Sequence, residues 1–146
     1  MKISVYNRQR RVRFDLAWVK KIAPCALRAC LEHPASPKAG PLPRLDHVEV
    51  TFVSDETIAD IHERFMNLVG PTDVISFDHG EIVISADTAK ENAERFAQPL
   101  ERELALYIIH GLLHLNGHDD HRAADAARMR TLQKQILDEC LQSAEK

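Results

Sequence analysis

Cysteine is scarce in this chain and its number is odd. The three residues, Cys25, Cys30 and Cys140, contain no CxxC pair, which argues against a disulfide framework and against a redox or zinc motif built on paired thiols. They read as small buried hydrophobes of a reducing compartment. Also missing is any apolar run near the roughly 20 residues that a membrane-spanning helix needs, so a soluble globular protein is expected. The first residues, MKISVYNRQRRVRF, alternate apolar and polar side chains and do not lead from a basic start into a continuous apolar segment. No export signal is visible there, and a cytoplasmic location is expected. Nor is there an excess of positive charge: 19 Lys and Arg against 22 Asp and Glu leave a net charge of −3, so bulk charge does not make the chain a polyanion binder. The charge is uneven, however. Lys2, Arg8, Arg10, Arg11, Arg13, Lys20 and Lys21 face only Asp15 in the opening stretch, a pattern that fits a solvated face or a surface that meets phosphates.

At 146 residues the chain suits one domain with a substantial core. KISVYN alternates with period two and predicts a strand, followed by an amphipathic helix over Leu16–Leu31. EHPASPKAGPLPR holds four of the seven prolines and predicts an irregular loop. HVEVTFV predicts a second strand, and Ser54 is placed to cap the helix that contains TIADIHERFM. After the break at VGP, TDVISF and EIVIS predict a hairpin turning at DHG. Three helices follow: Asp87 to Phe96, ending before Pro99; Leu100 to Asn116, ended by Gly117; and Arg122 to Leu141, with Ala126, Met129, Leu132, Ile136 and Cys140 at helical spacing. This order predicts an α+β domain, a mixed sheet of about four strands packed with helices.

The chemistry concentrates in HGLLHLNGHDDH, His110 to His121, where four histidines and two aspartates share twelve residues. His110 and His114 are four apart on a helix that is otherwise apolar nearly all round, so their Cβ atoms lie about 5–6 Å apart on one face. Two unpartnered imidazoles in such a wall would be costly to bury; a shared metal ion, or hydrogen bonds to carbonyls or acids, would satisfy them. Gly117 turns the chain back just after His114, which brings the side chain at 120 or 121 within reach of the same ion. Asp120 is the tenth residue after His110 and His121 the eleventh. An aspartate binds zinc at about 2.0–2.2 Å, and a His–His–Asp set leaves one coordination position for water. Asp119 or Asp120 also fits as the N-cap of the last helix. The residue after the first histidine is Gly111, where HExxH metallopeptidases carry their glutamate base. The glycine is expected to clear space for substrate beside the ion; a metal-bound water, acidified toward a pKa of about 7, could attack an ester or phosphodiester, or the ion could instead polarise a phosphoryl oxygen, and the catalytic group itself stays open.

HGLLHLNGHDD resembles the signature of the YbeY family of bacterial endoribonucleases, also called ribosomal RNA maturation factors, and GPTDVISF and GEIVIS are similar to that family's hairpin. The resemblance covers nearly the whole chain. It implies one α+β domain over residues 1–146 whose single zinc ion sits on a central helix and the turn after it. It further implies hydrolysis of single-stranded RNA, with roles in maturing the 3′ end of small-subunit ribosomal RNA and in ribosome quality control. Single-stranded RNA, ribosomal RNA and ribosomal particles are the implied partners. His110 and His114 fall on the first two metal positions, and the third, usually histidine, falls on Asp120, with His121 one residue late. An arginine that handles phosphate is implied five residues before Pro71, where this chain has Met66, and Arg64 would face another direction on the helix. Thr72 and Asp73 read as closing a turn, and His118 as a surface or packing residue. His62, His79 and Glu81 are either proton-transfer groups or solvated surface. Two competing functions remain open. One is a zincin-like metallopeptidase on His110, His114, Gly117 and Asp120, opposed by Gly111. The other is a non-enzymatic ribosome-assembly factor with a structural ion, motivated by Met66.

Overall fold

The computed structural model describes residues 1–35 and 40–144. Alternating apolar side chains in KISVYN and HVEVTFV, and the short apolar-rich runs VISF and EIVIS, form the four strands: β1 (Lys2–Asn7), β2 (His47–Val53), β3 (Val74–Phe77) and β4 (Glu81–Ser85). They form one sheet in the order β1-β2-β4-β3. β1 pairs parallel with β2 and β2 parallel with β4, while the hairpin partners β3 and β4 run antiparallel. This is the expected mixed four-stranded α+β architecture. The helices are α1 (Leu16–Leu31), α2 (Asp55–Met66), α3 (Ala86–Arg95), α4 (Leu100–Leu115) and α5 (Ala123–Ala144).

The period of two sends the strand side chains to two faces. Val48, Val50 and Phe52 of β2, with Ile82 and Ile84 of β4, join the large core under α1, α4 and α5. Val53, Ile75 and Val83 point the other way and meet Ile58 of α2 in a smaller cluster. The first three helices are capped by side chains. Asp15, Ser54 and Ser85 accept from the backbone N–H groups of Trp18, Thr57 and Thr88 at 3.1, 3.2 and 3.1 Å, satisfying donors that a first turn leaves free. Asn67 ends α2 in the left-handed conformation, and Gly117 ends α4 with φ 96° as expected.

Three details differ from the sequence reading. β3 begins only at Val74, so Thr72 and Asp73 lie before the strand. α5 continues to Ala144. In the proline-rich stretch, residues 36–39 lie outside the described residues, but Leu42–Arg44 form a short 3-10 turn whose Leu42 is fully buried, so part of the expected loop belongs to the core. Cys30 and Cys140 are buried and Cys25 partly so. Burial, followed by the neighbouring Cys25, pushes the Cys140 thiol up to about 12, so it does not offer an activated thiolate. Among the described residues no helix is long and apolar enough to cross a membrane.

α4 is the centre of the molecule, packed against α1, α3, α5 and the β3–β4 hairpin. Gly111 explains how it approaches the sheet. A Cβ there would lie 2.8 Å from Ile82 Cγ2 and 3.1 Å from Ser76 Oγ, and Ser76 Oγ donates to the Gly111 carbonyl at 3.3 Å. The expectation that this glycine clears space for substrate is therefore corrected: it is buried against the sheet, where any side chain would collide. Gly111→Ala is expected to destabilise the fold by about 1–3 kcal/mol, and clearly less in an Ile82→Ala background. Urea denaturation of the four proteins checks this; an unchanged midpoint for Gly111→Ala would contradict the close contact.

Candidate metal centre

The last two turns of α4 carry His110 and His114 on one face, and their Nε2 atoms approach to 3.1 Å. Gly117 reverses the chain, donating its N–H to the His114 carbonyl at 3.1 Å, and the returning segment brings Asp120 over the pair. Asp120 Oδ2 lies 3.6 Å from His110 Nε2, and Oδ1 lies 3.6 Å from His114 Nε2. An ion bound tetrahedrally at about 2.0–2.2 Å spaces its donors about 3.3–3.6 Å apart. The three side chains therefore stand close to the separations such an ion requires, with every donor within 4.8 Å of the others and all three residues half-buried.

The protonation states suit ligation as well. His110 Nδ1–H donates to Gln133 Oε1 of α5 at 2.8 Å. Because that oxygen only accepts, Nδ1 carries the hydrogen of this bond, which leaves Nε2, on the side of His114 and Asp120, as the nitrogen to bind an ion. Burial, and after it the adjacent His110, lowers the pKa of His114, with Asp120 and Asp119 opposing; the neutral imidazole is the form that binds a metal. Two imidazoles and one carboxylate leave a fourth position of a tetrahedral ion open.

The other candidates fall elsewhere. His121 is 87% exposed at its side chain, and its Nε2 faces Asp119 at 3.5 Å, so it does not join the two imidazoles. Asp119 accepts the His121 backbone N–H at 2.9 Å, and this hydrogen bond is the first cause of its lowered pKa. Asp119 thus shapes the turn, although it was a candidate cap for α5. His118 Nε2–H donates to the His33 carbonyl at 2.6 Å and ties this turn to the end of α1, which makes it a packing residue. His62 Nδ1–H donates to the Gly70 carbonyl at 2.9 Å, and His79 pairs with Glu81 at 3.1 Å on the hairpin. None of these three reaches the centre. Arg64 pairs with Asp60 at 3.1 Å along α2, whereas Met66 lines a groove of about 270 Å³ together with His114, Ser76 and Asp78. Position 66 therefore does border the centre, but without a charge.

Two features were missed in the sequence. Gln133 stands in the buried stripe of α5 between Met129 and Leu137, both enclosed, and a polar residue on an inner face was the available signal. Asp73 lines a cleft beside His110; nothing local in the sequence announces that.

A family model described as Endoribonuclease YbeY matches residues 4–141. The protein named Endoribonuclease YbeY from Acholeplasma laidlawii is 42% identical over an alignment of 98 residues that covers 62% of this chain and 72% of that protein. Its namesake from Syntrophus aciditrophicus is 32% identical over 154 residues, covering 94% of this chain and 88% of its own. The one from Myxococcus xanthus is 38% identical over 105 residues, only 36% of its own length. Among solved structures, the solution structure of TM1509 from Thermotoga maritima matches with a TM-score of 0.65 over 98% of this chain and 91% of its own. At 23% identity that is a likeness of fold.

Elemental analysis of the purified protein is expected to find one divalent metal per chain, lost in His114→Ala and Asp120→Ala and kept in His121→Ala. Gln133→Leu should weaken the metal by about 10–100-fold in a chelator competition. Retention of the metal by Asp120→Ala would contradict the geometry described.

Proposed function

The chain belongs to the family of Endoribonuclease YbeY, and from that premise we propose that residues 1–146 act as one zinc-dependent endoribonuclease domain that cuts single-stranded RNA. The observation that carries the reading is the convergence of His110, His114 and Asp120 at donor separations of 3.1, 3.6 and 3.6 Å. When bound, zinc supplies Lewis-acid polarisation of a phosphoryl oxygen and lowers the pKa of water, with no redox chemistry, and cleavage of a phosphodiester needs no more than that. The chain's own residues prepare the site. Gln133 accepts from Nδ1–H of His110 and orients its ring, burial favours the neutral form of His114, and Asp120 contributes the one carboxylate that offsets part of the cation's charge. Grooves border the centre on the His114 side and on the His110 side, which leaves room for an extended strand to approach the open position.

The same proposal extends, through the family resemblance, to ribosomal RNA as the substrate. The roles are maturation of the 3′ end of the small-subunit RNA and ribosome quality control, in the cytoplasm and with ribosomal particles as partners. The peptidase reading loses support at Gly111, because the position of the glutamate base is packed against Ile82 and Ser76. The assembly-factor reading keeps one observation in its favour, the uncharged Met66 beside His114.

Purified protein is expected to cleave a single-stranded RNA oligonucleotide, to lose that activity on chelation and to regain it with zinc. His114→Ala should cut at least about 100-fold more slowly while keeping its helical circular dichroism. Equal cleavage by metal-free and metal-loaded protein would overturn the metal role. Absence of cleavage, together with co-sedimentation of His114→Ala with ribosomal particles, would favour the assembly reading.

A further inference from the structure

We propose that the cleft beside His110 is the subsite that holds the phosphates of the RNA strand, with Arg130 and Lys134 of α5 as its cations. The inference rests on the RNA-cutting reading above. The cleft measures about 400 Å³, and His110, Gln133, Arg130 and Lys134 are on its wall. Arg130, Gln133 and Lys134 stand at i, i+3 and i+4 on α5 and so share one face. The hydrogen bond of 2.8 Å from His110 Nδ1 to Gln133 fixes that face against the metal centre. The two cations therefore flank the residue that touches a metal-site histidine.

Charge accounting favours an anionic occupant. Neither Arg130 nor Lys134 forms an ion pair among the described residues, whereas Arg128 is paired with Asp125 at 4.0 Å and Arg102, also on the wall, with Asp138 at 3.6 Å. Two acids, Asp73 and Glu103, share the cleft. Asp73 Oδ1 already accepts the Val74 N–H at 2.8 Å. Glu103 is buried, and burial raises its pKa against the opposing effect of Arg102. With a net charge of −3, the chain meets a polyanion only through a local patch. Concave walls that include Leu106 and Leu137 focus the field of the two free cations toward the centre. An RNA backbone, with one phosphate per nucleotide, is the ligand of matching chemistry.

The test measures binding of a 2′-O-methyl single-stranded RNA of twelve nucleotides, recovered intact, by fluorescence anisotropy over a salt series. The wild type is compared with Arg130→Gln/Lys134→Gln and with a charge-matched control on α1, Lys20→Gln/Lys21→Gln, with metal content measured for each. The cleft variant is expected to keep its metal, to bind several-fold more weakly and to lose about 1.4 from the slope of log K against log salt, about 0.7 for each phosphate contact on a single strand. The control should keep the wild-type slope. RNA binding by the wild type with an unchanged slope in the cleft variant would overturn the subsite alone, as would an equal loss in the control. No RNA binding by the wild type would remove the RNA reading itself and the subsite with it.

Discussion

The His110–His114 pair sits where the driest helix of the molecule meets solvent, and much of the architecture serves to hold it there. Leu104, Ile108, Ile109, Leu112 and Leu113 of α4 are fully buried, so α4 cannot rotate or slide without exposing several large side chains, each worth about 1.5–3 kcal/mol of burial. Two imidazoles mounted on such a helix are positioned by the core itself. The third donor depends on a turn, and that turn is anchored twice: Gly117 provides the left-handed residue, and His118 fastens the segment to the His33 carbonyl. A rigid helix and a pinned turn together bring Asp120 within 3.6 Å of both rings.

The helix α5 adds a second layer of control. Its inner face is apolar at Met129, Ile136, Leu137 and Cys140, and this packing sets its position beside α4. Gln133 interrupts the stripe to take the His110 proton donor, so the orientation of a candidate ligand is coupled to the docking of a different helix. The same docking presents Arg130 and Lys134 to the cleft beside His110. On the opposite flank, Gly111 lets α4 press on Ile82, which places the hairpin and Ser76 at the edge of the His114 groove. The surroundings of the centre are thus by-products of how helices and sheet close on one another.

What the sequence made legible was local. HVEVTFV alternates, and β2 sends Val48, Val50 and Phe52 to one face. HxxxHxxG combines a helical spacing with a glycine stop, and the structure brings Asp120 to both histidines while His121 turns toward Asp119. The parts that escaped depend on partners distant in the chain. His118 and His33 are 85 residues apart, and Ser76 and Gly111 are 35 apart. Gly111 looks like an opening in the sequence because its contacts with the sheet are tertiary. The short turn at Leu42–Arg44 is not visible in the sequence because proline-rich composition reports backbone restriction and is silent on burial.

The central claim is a single ion held by two imidazoles and one carboxylate. Zinc K-edge X-ray absorption of the purified protein tests it most directly, since the first coordination shell distinguishes light donors from sulfur. The account predicts two histidine nitrogens and two oxygens at about 2.0–2.2 Å, with the multiple-scattering pattern of two imidazoles. A sulfur donor at about 2.3 Å, or a shell of oxygens without imidazole scattering, would contradict it.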